Sequence, residues 1–191
     1  MYCPAGPRPR NAEFTRTAIL GAAMERFSRE SYDDVGVRDI AGDVGVDAAL
    51  VSRYFGSKDE LFAQVLNGCD NGGALMNGDR ATFGRRVARE VIFERKSETK
   101  LQGLLILLRS ISSTKAMEIV QRGANERFYG PFSEWVGGPE GAISARLAAA
   151  FIMGMAVSRE VTGGFGFSPE ECERMSDRMA EILQAIVDGR S

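Results

Sequence analysis

The chain has 191 residues, 44% hydrophobic and 26% charged, with 24 basic against 26 acidic side chains and a formal net charge of −2. That is ordinary globular usage, enough for a sizeable core and for one large domain or two small ones. There is no histidine, and the three cysteines (Cys3, Cys69, Cys172) are scattered with no C-x-x-C pair; this excludes His-dependent triads, His or zinc metal sites and His pH switching, and leaves no cofactor to expect.

Residues 1–10 carry three prolines, two arginines and no apolar stretch, so a flexible tail is expected rather than a secretory signal. The first helix starts at about Asn11 or Thr15 and runs to Arg29. Ile19, Ala22, Ala23 and Phe27 share one face of it at i, i+3, i+4, i+8. After the connector Ser31-Tyr32-Asp33-Asp34, a second helix spans Val37 to Val44, with Val37, Ile40, Ala41 and Val44 inward. Gly45-Val46-Asp47 is a tight turn, and Asp47 caps a third helix from Ala48 to Phe55. Gly56-Ser57 opens a fourth helix with a capping box closed by Glu60; it runs from Lys58 to about Leu66 and stops at Asn67-Gly68.

Residues 68–79 contain four glycines and read as a solvated connector and domain boundary. Five further helices follow, near 80–96, 100–111, 114–135, 140–162 and 169–188. The last starts on a Ser168 cap, with Pro169 at the first helical position and Glu171 closing the box. The 140–162 helix contains Leu147 to Val157, apolar on every side, so that it needs cover all round. That run is 11 residues, shorter than the ~20 of a bilayer span, so a soluble, cytoplasmic chain is expected. The arginines and lysine at 85, 86, 89, 95 and 96 read as a solvated face. Arg109 reads as a stem laid on the core with its head in water.

Residues 36–55 thus form a short helix, a glycine turn and a second short helix. In a helix-turn-helix the second helix enters the DNA major groove. At 100° per residue, Val51 and Phe55 point inward while Ala49 and Arg53 face away, with Leu50 and Ser52 on the flanks. Small outward residues permit close approach to base edges, and Arg53 suits a bidentate contact to guanine. Tyr54 and Lys58 suit phosphates. Residues 1–60 hold eight basic and ten acidic side chains, so bulk charge does not drive binding. On the pattern alone, a helical interaction module remains open beside DNA binding. A helical enzyme is a weaker third reading, since no G-x-S-x-G or metal cluster is present and Asp33-Asp34 and Glu170-Glu171 are explained as helix-start acids.

Ile19-Leu20-Gly21-Ala22-Ala23-Met24-Glu25-Arg26-Phe27, Val37-Arg38-Asp39-Ile40-Ala41, Gly45-Val46-Asp47, and Val51-Ser52-Arg53-Tyr54-Phe55-Gly56-Ser57-Lys58-Asp59-Glu60-Leu61 together resemble the amino-terminal domain of the TetR family of bacterial transcriptional regulators. The resemblance covers about 50 residues, Thr15 to Leu66. It implies an all-α protein: a tail (1–10), a three-helix helix-turn-helix DNA-binding domain (11–67, motif 36–55), and a helical effector-binding and dimerisation domain (80–191). It implies a non-enzymatic, ligand-responsive repressor that holds a palindromic operator as a homodimer; the short apolar run leads to no expected membrane partner. The implied DNA-binding residues are Gly36, Val37, Asp47, Ala48, Ala49, Leu50, Ser52, Arg53, Tyr54 and Lys58. Three positions depart from the family pattern: Ser31 replaces a glycine, Gly36 a Ser or Thr cap, and Ser52 a frequent tyrosine.

For the second half, the resemblance implies an effector pocket, with Leu104, Leu107, Leu108, Ile111, Met117, Val120, Phe128, Trp135, Phe151 and Met155 as candidates. It also implies a dimer built on the last two helices. Ala145, Ala149, Ile152 and Ala156 form a small-residue stripe on one, and Met175, Met179, Ile182 and Ile186 line the other. Ordinary core packing remains the plainer reading of these residues.

Overall fold

The computed structural model describes residues 9–69, 72–94 and 97–189. Among them every regular element is helical: α1 (Pro9–Arg29), α2 (Val37–Val44), α3 (Ala48–Phe55), α4 (Lys58–Cys69), α5 (Gly72–Leu75), α6 (Phe83–Phe93), α7 (Glu98–Ser110), α8 (Thr114–Ala124), α9 (Gly130–Val136), α10 (Gly141–Val161) and α11 (Pro169–Asp188). Residues 1–8, with Cys3 and Arg8, and the pair Arg95-Lys96 lie outside the described residues.

Local signals set several boundaries. Asp47 caps α3 by accepting the Ala49 N–H at 2.7 Å. Ser168 caps α11 through the Glu171 N–H at 3.3 Å, and Glu171 returns the bond to the Ser168 N–H at 2.8 Å. The Ser57–Glu60 box is likewise made in both directions, at 3.2 and 2.7 Å. Two expectations differ. Helix α4 passes through Asn67-Gly68 to Cys69, because Val65 and Leu66 are buried and Gly68 lies close to Met24; packing outweighs the stop signal. The helix expected over 114–135 runs without a gap from Thr114 to Val136 but widens to a π-turn at Asn125–Tyr129. Pro131 has no N–H and its ring crowds the preceding turn, which this wider turn accommodates.

The helices sort into two compact units that are not contiguous in sequence. One comprises Met1–Asp70 with Ser97–Gly123, the other Asn71–Lys96 with Ala124–Ser191. In the first unit, Ile19, Ala23 and Phe27 of α1 pack with Ile40, Ala41, Val51, Phe55, Leu61, Phe62 and Val65, and α7 and α8 add Ile106, Ala116 and Ile119 to the same core. Phe27 and Tyr32 both meet the Phe62 ring edge-on, with centroids 4.8 and 4.9 Å apart. Residues 97–123, inside the span expected to form the second domain, thus add to the core of the amino-terminal head.

In the second unit, Phe83, Val87 and Ile92 of α6 pack with Phe132, Val136, Ala145, Ala148, Met179, Leu183 and Val187. Arg80 donates to the carbonyls of Val136 and, at 2.7 Å, Val187, satisfying two helix C-termini. Arg159 does the same at the end of α6, reaching the Val91 and Glu94 carbonyls at 2.6 and 2.8 Å.

Candidate nucleic-acid interface

The turn between α2 and α3 depends on Gly45, which sits at φ +72°, a left-handed conformation that L side chains adopt at a cost. Its N–H bonds the Gly42 carbonyl at 3.1 Å and the Val46 N–H bonds that of Ala41 at 3.0 Å, closing α2 and turning the chain into α3. Arg26 of α1 forks onto Asp43 of α2, with Nη2 2.8 Å from Oδ1, and Nη1 reaches Glu30 at 3.4 Å. This pair holds the Asp43 carboxyl below its ordinary range.

Helix α3 presents the face its spacing implies. Val51 and Phe55 are buried; Ala49, Ser52 and Arg53 are exposed; Ala48, Leu50 and Tyr54 are half-buried. Gly36 and Val37 are half-buried at the start of α2. Gly36 offers no side-chain cap; instead the Asp39 carboxylate accepts the Gly36 N–H at 3.0 Å. No non-glycine residue among those described has positive φ, so the Ser31 connector is built without a left-handed residue. The Asp34 and Val35 N–H groups bond the Ser31 carbonyl at 3.1 and 3.3 Å. Asp47 is exposed but its carboxylate is occupied by the α3 cap.

Lys58 is less free than an outstretched phosphate contact. Its ammonium lies 4.2 Å from the centroid of the Tyr32 ring, and burial pushes its pKa down against the pull of Asp33, Asp59 and Asp34. Tyr32 donates its hydroxyl to Asp59, whose other oxygen meets Lys115 of α8 at 3.1 Å. Sequence reasoning missed Arg38, exposed in the first turn of α2. Its signal was a cation one position past the helix start, on the element expected to cross the backbone. Lys115, remote in sequence, carries no local signal that would place it beside Asp59.

The ten pocket candidates divide. Leu104, Leu107, Leu108, Ile111, Met117 and Val120 belong to the first unit; Phe128, Trp135, Phe151 and Met155 flank the core of the second. Ile111 is 69% exposed. With Leu108, Ser31, Arg109 and Ser112 it lines a cleft of about 480 Å³. Arg109 is exposed, and one edge of its head is tied down: its Nε donates to the Ser28 carbonyl at 2.8 Å, near the end of α1. Arg86 turns inward, reaching the Leu75 carbonyl at 3.3 Å, so the expected solvated face is kept by Arg85 and Arg89.

Of the eight interface candidates, Ala145 and Met179 are buried in their own unit, Ala149, Ile152, Ala156, Met175 and Ile186 are half-buried, and Ile182 is exposed. The most exposed apolar face of α10 is Ile143, Leu147, Ala150, Gly154 and Val161, with Met153 beside it. The run Leu147 to Val157 is apolar all round, so its own periodicity marks no inward side. The helix as a whole, 21 residues, is long and apolar enough to cross a membrane by length and composition. The 11-residue run understated it.

Two family models match. Residues 81–187 match the tetracyclin repressor-like C-terminal domain, and residues 19–65 match the bacterial regulatory proteins of the tetR family. The HTH-type transcriptional repressor Rv3405c of Mycobacterium tuberculosis is 39% identical over 59 residues, 31% of each chain. The repressor NicS of Pseudomonas putida is 36% identical over 61 residues, 32% of this chain and 29% of its own. The chain thus matches about a third of the length of these curated relatives. Among solved structures, NalD of Pseudomonas aeruginosa, the secondary repressor of an efflux pump, has a TM-score of 0.69 at 24% identity, covering 90% of this chain and 96% of its own. A TetR-family regulator of Streptomyces coelicolor A3 has a TM-score of 0.56 at 26% identity, covering 96% and 99%.

Proposed function

The chain belongs to the TetR family of bacterial transcriptional regulators, and from that membership we propose that it is a sequence-specific repressor that grips a palindromic operator as a homodimer and releases it when a small molecule binds. The observation that carries the DNA reading is the outward face of α3. It is small at Ala49 and Ser52, cationic at Arg53, and backed by a fully packed inner face. Such a face approaches base edges closely and places one guanidinium where a guanine is read. Arg38, Tyr54 and Lys58 surround it with phosphate-seeking groups.

The homodimer reading rests on α10. Ile143 is 55%, Leu147 52% and Val161 79% exposed on one stripe, and exposed apolar surface of that extent marks an interaction face. A second copy of α10 and α11 covers it. Two heads joined in this way read half-sites one turn apart, about 34–36 Å, or a multiple of it. A ligand that prefers a dimer with differently spaced heads then releases the DNA by population shift.

The test is selection of bound sites from random duplex DNA. The expected result is an enriched palindrome at one spacing. A purified chain that enriches nothing at low ionic strength overturns the reading and favours an interaction module.

A further inference from the structure

We propose that Lys115 of α8 is a positioning residue for DNA binding: by holding Asp59 it keeps that carboxylate away from Lys58 and leaves the Lys58 ammonium available to a phosphate. The proposal rests on the DNA-binding reading above and adds to it a residue that lies on neither helix of the motif.

Lys58 occupies the first position of α4, where the positive end of the helix disfavours a cation. It also lies on an aromatic ring, 4.2 Å from its centroid, and is half-buried. The helix end disfavours its charge, while the ring holds the ammonium by a cation–π contact. Its surroundings are acidic, since Asp33, Asp34 and Asp59 all act on its charge. Acids beside a phosphate-seeking lysine compete with the phosphate and repel it.

The corner between α7 and α8 answers two of the three. Ser113 donates its hydroxyl to Asp33 at 3.1 Å. Lys115 meets Asp59 at 3.1 Å, and its second acid, Glu118, is at 4.0 Å. Asp59 is thereby held between the Tyr32 hydroxyl and Lys115. The corner is anchored, because Ala116 is fully buried in the core of this unit and Ser113 also caps α8 through the Ala116 N–H at 3.2 Å. An exposed ion pair such as Lys115–Asp59 adds little to stability. Its effect here is on charge: with Lys115 removed, Asp59 turns to its neighbour Lys58.

The experiment measures operator affinity against salt for the wild type, Lys115→Met, Lys115→Arg and Lys115→Met combined with Asp59→Asn, on the duplex enriched by selection. Losing one phosphate contact flattens the log–log salt slope by about 0.9 per protomer; counted from 1 M salt, that is an affinity loss of about 15-fold per protomer at 50 mM and about 4-fold at 200 mM. Lys115→Met is expected to show this loss with an unchanged melting temperature. Lys115→Arg keeps wild-type binding, and Asp59→Asn restores it in the Met background. A wild type that binds while Lys115→Met keeps the same slope overturns this inference alone. So does a loss that Asp59→Asn leaves unrepaired, which would make Lys115 itself a phosphate contact. A wild type that binds no duplex overturns the parent reading and this one with it.

Discussion

Gly154 gives the homodimer reading a test whose sign decides the matter. Glycine in the middle of a helix is unfavourable by about 0.5–1 kcal/mol relative to alanine. A Cβ built on Gly154 meets nothing within 4 Å in its own chain. If the protomer stood alone, Gly154→Ala would therefore stabilise it by roughly that amount. On the dimer reading the empty space belongs to a partner. Gly154 lies on the stripe of Ile143, Leu147, Ala150 and Val161, within an arc of about 60° at 100° per residue. A small residue at the crossing point lets two helices approach closely. Burying the exposed parts of Ile143, Leu147, Val161, Met153 and Ile182 contributes several kcal/mol per protomer at about 25 cal/mol per Å², and a side chain that holds the helices apart forfeits much of it. Gly154→Leu is expected to weaken dimerisation at least tenfold, about 1.4 kcal/mol, read by analytical ultracentrifugation over a dilution series. It should also make the melting temperature depend less on concentration once the dilution series reaches its dissociation constant. A Gly154→Leu chain as dimeric as the wild type, together with a Gly154→Ala chain that simply melts higher, would refute the crossing of two α10 helices at this point.

Further expectations concern the head and its ion pairs. Arg53→Ala should weaken the selected site by ~1–3 kcal/mol and relax the preference at one base pair; an unchanged selection profile would remove α3 as the reader. Lys58→Ala should weaken all duplexes about equally and flatten the salt slope by roughly one unit per protomer; a sequence-selective loss would contradict a phosphate role. Asp43 is held below its ordinary range by Arg26, and Asp59 by the Tyr32 hydroxyl and then Lys115. A depressed carboxyl stabilises the fold fully above its unfolded value of about 3.9, and that contribution disappears as pH falls through the folded value. With no histidine in the chain, stability should stay level from about pH 5.5 to 7.5 and fall in acid below about pH 4. Thermal melts of Asp43→Asn and Asp59→Asn should show a shallower acid fall than the wild type.

Much of the head, and the last helix of the second unit, was legible from residues a few positions apart. The spans of α2, α3 and α11, the Asp47 and Ser168 caps and the inward pair Val51 and Phe55 stand where their spacing placed them. Caps and periodicity act through hydrogen bonds and faces within one or two turns, so a linear reading reaches them. The outward face of α3 follows at once, since it is the remainder after the inward pair is placed.

What only the tertiary structure decided are matters of which element covers which. The sequence from 97 to 123 has helical spacing but no mark assigning it to the head; Ile106, Ala116 and Ile119 are drawn there by a core whose other members lie up to a hundred residues earlier. Lys58 reads locally as an outstretched cation, and only the fold brings Tyr32, Asp59 and Lys115 around it. In α10 every face is apolar, so nothing within the helix distinguishes Ala145, which its own unit buries, from Ile143 and Leu147, which it leaves open. Local chemistry specifies where a helix begins and ends. Which of its faces leaves water depends on partners distant in the chain, and burial energy is not directional enough to be read from one helix alone.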